Sequence, residues 1–163
     1  MSNFLSNFEK ANKNAKRLSN KILIDGKLIS PSTDSKIKVV NPSTGESIGD
    51  APQCNKVDVD HAVKSSLDAF KEWKKIPARE RGRLVEQGTR KLEERRGEIE
   101  TLLALDTGNA LRTQAKPETA ASIELTRMFA GLSGEIKGEN YPPNIINTLH
   151  FTTRDPIGVV CAI

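Results

Sequence analysis

The run "IGVVCAI", Ile157–Ile163, constrains this chain more than any other stretch. All seven positions are apolar or glycine, β-branched types are frequent, and Pro156 precedes them. A strand with one wet face alternates in polarity, so an unbroken apolar run predicts a strand buried on both faces in the middle of a sheet. No residue after Ile163 supplies a neighbouring strand, whereas a domain boundary ordinarily falls in a polar linker. The expectation is therefore that the chain is a piece of a larger α/β fold, cut within its central sheet.

The preceding residues divide by period. Residues 1–20 contain one acid, Glu9, against Lys10, Lys13, Lys16 and Arg17, with several Asn and Ser. They read as a flexible or loosely helical leader, with an organelle-targeting peptide as the alternative. In "KILIDGKLI" the Asp25-Gly26 pair between apolar runs predicts a two-residue hairpin turn. A second hairpin is expected around "KIKVV" and "ESIGDAP", joined through "NPSTGE", where Pro42 fixes one dihedral and Gly45 takes the left-handed conformation.

Helical spacing follows. Asn55 and Asp58 stand in N-cap register before a helix whose inner face is expected to carry Val59, Ala62, Val63, Ser66, Phe70 and Trp73. Pro77 opens a second helix facing inward with Leu84, Val85, Gly88 and Leu92. A third, with Ile99, Leu102 and Leu103 inside, is stopped by Gly108, and a fourth from Pro117 aligns Ala121, Leu125, Met128, Phe129 and Leu132. A half-buried strand is expected near Leu149–Arg154.

Composition and motifs exclude more than they select. Between Lys71 and Glu100 ten basic and seven acidic residues interleave, with Glu86 and Arg90 at i,i+4, which describes a solvated helix face. With 4% aromatic residues and no recognition module, a nucleic-acid partner is not expected. No apolar run reaches membrane-spanning length, and a cytoplasmic, soluble protein is expected. Cys54 and Cys161 lack ligand spacing and read as reduced, structural thiols; His61 and His150 are far apart and read as surface or packing residues. "AGLSGE" lacks the spacing of a nucleophile elbow. "GLSGEIKGEN" follows a helix and matches no phosphate-binding loop. The Glu93-Glu94 pair reads as surface charge. The residues themselves point to no catalytic set.

The ordered series "ILIDGKLI", "VVNPSTGESIGDAP", "VDVDHAVKSSLDAFKEWKKIPARERGRLV", "LLALDTGNA", "MFAGLSGEIKGENYP" and "TTRDPIGVVCAI" resembles the N-terminal segment of the NAD(P)-dependent aldehyde dehydrogenase superfamily, over about Ile22 to Ile163. The flavour is closest to the betaine-aldehyde or related small-aldehyde branch. Asn109 departs from the Lys usual after that glycine, which bears on local packing.

The resemblance implies that residues 21–140 belong to a cofactor-binding domain, 141–155 to an oligomerisation-type strand, and 156–163 to the first strand of a Rossmann-like core. It implies a full-length homo-oligomeric oxidoreductase that takes a small aldehyde and NAD or NADP, attacks the carbonyl with a thiolate, and stabilises the oxyanion while hydride departs. The nucleophilic Cys, the general-base Glu and the nucleotide-contacting strands would lie beyond Ile163, so no catalytic or cofactor-binding residue is expected here. A structural monovalent-cation site is implied at backbone oxygen of Val39 or Val40 with the carboxylate of Asp106; the plainer reading of Asp106 is a residue pairing near a helix end. The competing reading of the whole chain is a non-catalytic interaction module that associates with full-length subunits.

Overall fold

The computed structural model describes residues 2–162, with side-chain surroundings from Leu5 onward. In chain order they form one helix, two two-stranded antiparallel hairpins, four helices and a third antiparallel strand pair.

Helix α1, Ser2–Leu18, places Lys16 and Arg17 in its last turn, where cations complement the carbonyl end. The leader expected to be mobile or loosely helical thus takes a helical form packed on the rest of the fold: Ala11 is fully buried. Strands β1 (Ile22–Ile24) and β2 (Lys27–Ile29) pair Ile22 with Ile29 and Ile24 with Lys27. Asp25 and Gly26, at φ 53° and 69°, form the tight turn the dipeptide predicts.

Strands β3 (Lys36–Val40) and β4 (Ser47–Pro52) form the second hairpin, with Gly45 left-handed at φ 74° as expected. Val39 opposes Gly49 and Val40 opposes Ser47, so Ile48 has no partner across the ladder and forms a bulge. The connection is held by buried Asn41, whose side chain accepts the Ser43 N–H at 2.9 Å and whose carbonyl accepts the Gly45 N–H at 2.8 Å.

Helix α2, Lys56–Trp73, begins with the full reciprocal cap: Asn55 Oδ1 accepts the N–H groups of Val57 and Asp58, and Asp58 returns the bond to the Asn55 N–H. Helix α3, Ala78–Glu94, starts after Pro77, and α4, Arg96–Thr107, ends at Gly108 in the left-handed region, φ 72°. A π-helical turn, Leu111–Ala115, then leads into α5, Lys116–Gly131; the Ala115 N–H reaches back five residues to the Ala110 carbonyl at 3.3 Å.

The helix faces differ from the expected ones. In α3 the buried positions are Gly82 and Thr89, while Val85 and Leu92 are exposed. In α5 they are Thr119, Ile123 and Ala130, while Leu125, Met128, Phe129 and Leu132 point outward. In α2 Val59, Val63 and Trp73 are exposed as well. For α3 and α5 the cause is their crossing, where small residues meet: a Cβ on Gly82 would collide with the Ala130 carbonyl and the Ser133 hydroxyl. Helices approach through whichever face lets backbones come close, and the bulkier apolar stripes remain outside.

Strands β5 (Asn140–Tyr141) and β6 (His150–Phe151) are short. The expected half-buried strand over 149–154 pairs only at His150 and Phe151, and Leu149 is exposed. Residues 157–162 make no ladder pairs, and Ile157 is 93% exposed, contrary to a strand buried on both faces. The apolar pattern is a property of the residues, but a sheet needs partner strands, and none of the described residues supplies one here. Ile163, the last position of that expected strand, lies outside the described residues.

Candidate functional site

An open, largely apolar cleft lies where three elements converge. Helix α1 meets α4 and the β3–β4 hairpin around a cleft of about 420 Å³ lined by Ala15, Leu18, Val39, Ile48, Leu102 and Asp106, among others. Its geometry follows from the local sequence. The spacing of Phe8, Ala11, Ala15 and Leu18 gives α1 one apolar edge. Where α1 meets α4, a Cβ on Gly97 would strike the Asn7 side chain, so the two helices come close there, and Ile48 of the bulge lines the cleft.

Polar contacts fix the helix in place. Asn14 donates to Glu98 Oε1 at 2.6 Å, the Asn20 N–H donates to the Asp50 carbonyl at 2.7 Å, and the Asp50 N–H donates to Ser19 Oγ at 2.9 Å. The Arg95 guanidinium holds the Glu98 carboxyl below its ordinary range against partial burial, and Asn14 and Lys10 add to the effect. Asp50 is bound by Lys36 Nζ at 2.9 Å. The Asp106 side chain is exposed and takes no hydrogen bond or ion pair among the described residues.

Of the residues expected at a cation site, Val39 and Asp106 therefore share the cleft, while Val40 does not line it. The Val39 carbonyl already accepts from the Ser47 hydroxyl at 3.3 Å. Among the described residues no three His, Cys, Asp or Glu side chains gather as metal ligands.

The remaining expected residues are dispersed. Cys54 and Cys161 are both free and exposed, so neither is the packed structural thiol the sequence suggests. His61 and His150 are exposed. Glu86 pairs with Arg90 at 3.3 Å as the spacing requires, Glu93 with Arg96 at 3.4 Å and Glu94 with Lys91 at 2.9 Å; Glu86 and Glu93 also reach Arg127 of the last helix, at 3.7 and 3.9 Å. Gly131 and Gly134 lie at the end of α5 and in the following 3₁₀ turn. The described residues thus hold no strand, glycine loop and helix in the order that cradles a dinucleotide pyrophosphate, and they do not fit NAD(P) by themselves. What the sequence reading missed is the α1 wall. The Phe8, Ala11, Ala15, Leu18 spacing was the available signal.

Known proteins agree with this architecture. A sequence model of the aldehyde dehydrogenase family matches residues 29–163. The yeast Saccharomyces cerevisiae aldehyde dehydrogenase [NAD(P)+] 2 is 36% identical over 135 residues, covering 82% of this chain and 27% of the relative. Human mitochondrial 10-formyltetrahydrofolate dehydrogenase is 35% identical over 145 residues, covering 86% of this chain and 16% of that protein. A double mutant of betaine aldehyde dehydrogenase from Staphylococcus aureus, solved with NAD+, superposes with a TM-score of 0.77 at 26% identity, over 87% of this chain and 28% of that one. The chain spans about a quarter or less of the length of these relatives. It belongs to the aldehyde dehydrogenase family and corresponds to the N-terminal part of that fold.

Proposed function

We propose that this chain is the N-terminal portion of an enzyme that oxidises a small aldehyde to a carboxylic acid with NAD or NADP, working as a cytoplasmic homo-oligomer, and that the catalytic residues lie outside these 163 residues. The observation that carries the reading is the family match over residues 29–163. The printed names of the relatives support NAD(P) as cofactor. The outward-facing stripe Leu125, Met128, Phe129 and Leu132 is the kind of surface a larger fold covers.

In this reading residues 21–140 form a scaffold beside the nucleotide site, 141–155 an oligomerisation strand, and 156–163 the entry to the nucleotide-binding sheet. The cofactor supplies a hydride acceptor when bound. This chain's own residues contribute shape: the α3–α5 crossing and the capped α2 hold apolar faces at fixed angles. Val39 and Asp106 would hold a structural monovalent cation.

The test is direct. The purified chain, given NAD+ or NADP+ and a panel of small aldehydes, is expected to form no reduced nicotinamide, as followed by its absorbance. Turnover by the chain alone would overturn the placement of the catalytic set. A chimera carrying this chain in place of the matching segment of the yeast relative is expected to regain aldehyde oxidation.

The exposed stripes also favour the second reading, a non-catalytic module that binds full-length subunits. A stable complex with such subunits on sizing, together with an inactive chimera, would select it.

A further inference from the structure

We propose that α1 is a detachable amphipathic helix that leaves the fold to lie in the surface of an anionic lipid bilayer. The proposal does not rest on the enzymatic reading, and the helix lies outside the family-matched residues 29–163. At about 100° per residue, Phe8, Ala11, Ala15 and Leu18 share an arc of roughly 80°, and Lys10, Lys13 and Arg17 share an arc of roughly 60° on the other side. Glu9 is the single acid of the helix. Apolar residues on one side and cations on the other describe a helix that lies along the headgroup region, its apolar side sunk below the phosphates and its lysine stems reaching up to them. No described helix is long and apolar enough to cross a membrane, and α1 would lie in the plane of the bilayer surface.

The docking of α1 on the fold is partial. Ala11 is fully buried, but Phe8 is 40% exposed, and Leu5, a further ~60° round the helix from Phe8, is 56% exposed. Beside Ala15 and Leu18 the cleft stays open. A lipid surface would cover apolar area that the fold leaves wet. Departure strands no charge, because the Glu98 carboxylate keeps Arg95 at 2.7 Å when Asn14 leaves it. The bonds of the Ser19 hydroxyl and the Asn20 N–H to Asp50 keep the base of the helix attached, with Asn20 in the left-handed region at φ 53° as the turning point. The cations select the partner: Lys10, Lys13, Lys16 and Arg17 are all exposed. A neutral bilayer or a second copy of this basic helix would not meet their charge, whereas anionic headgroups would.

Flotation of the intact chain with vesicles of phosphatidylcholine alone, and of phosphatidylcholine mixed with phosphatidylglycerol, tests this. Binding is expected on the mixed vesicles only, and is expected to weaken as salt rises. Lys13→Gln is expected to weaken it about fivefold, the equivalent of ~1 kcal/mol per cation near an anionic surface. Lys27→Gln, which removes the same charge from the exposed hairpin turn, leaves it unchanged. Leu5→Asn is expected to weaken binding about tenfold through lost apolar burial. Asn14→Ala removes a bond that holds α1 down and is expected to strengthen binding by about fivefold. No binding to the mixed vesicles, equal binding to both kinds, or equal losses from Lys13→Gln and Lys27→Gln overturns the proposal. So does full binding by Leu5→Asn, since charge alone would then hold the chain to the lipid. Unchanged or weaker binding by Asn14→Ala overturns the detachment. The comparison of the two vesicles decides even if a variant does not fold.

Discussion

Asp58 shows how much one side chain can organise. Its carboxylate is 7% exposed, accepts the Ser32 N–H at 2.8 Å and closes the α2 cap on the Asn55 N–H. Burial pushes its carboxyl up, but the backbone bonds from Ser32 and Asn55, the Ser32 hydroxyl and nearby His61 outweigh it and hold it below the ordinary value. A carboxyl depressed in the folded state stabilises above its unfolded pKa, about 3.9, and that contribution is lost as pH falls through the folded value. Acid titration of the melting temperature is expected to show a decline below about pH 4 that is smaller in Asp58→Asn. An equal decline in the variant would remove Asp58 from the account. This cap was legible because Asn55 and Asp58 sit at fixed offsets from the first helical residue, and capping is local chemistry.

Elements were legible where local rules decide them and illegible where packing does. Asp25-Gly26 fixed the first hairpin, and Gly108 ended α4. The inner faces of α3 and α5 were misread because periodicity finds the most apolar stripe, while the crossing selects the narrowest one. At Gly82 an added methyl has nowhere to go, since the Ala130 carbonyl is backbone and cannot swing aside. Gly82→Val is expected to cost ~1–3 kcal/mol in chemical denaturation through overpacking. Gly88→Ala is expected to be neutral or mildly stabilising, because the same helix has open space there. A reversed order would show that the α3–α5 crossing is not the tight contact described. The α1 wall was missed for a similar reason. A stretch rich in Asn and Lys reads as solvent-exposed, and only the bonds of the Asn14 side chain, the Ser19 hydroxyl and the Asn20 N–H show that it packs against the rest.

At the scale of the whole molecule, the family and its N-terminal segment were readable from motif order, whereas the cleft required three elements far apart in sequence. Its three hairpins do not merge into one sheet among the described residues, and Ile146, Ile157 and Val160 are strongly exposed. Unpaired edges beside apolar side chains associate. Sedimentation of the purified chain is expected to show self-association that grows with concentration; a monomer throughout would contradict this.

The π-helical turn at Leu111–Ala115 carries a further consequence. Its five-residue hydrogen bonds accommodate one residue more than an α-helix would use, and the wider winding absorbs that surplus. Removing a single residue there would let the turn relax to ordinary winding while Thr119 and Ile123 keep their place in the interior. A second removal would find no surplus to absorb it and would roll α5 by about 100° about its axis, so this short connector has one residue of slack.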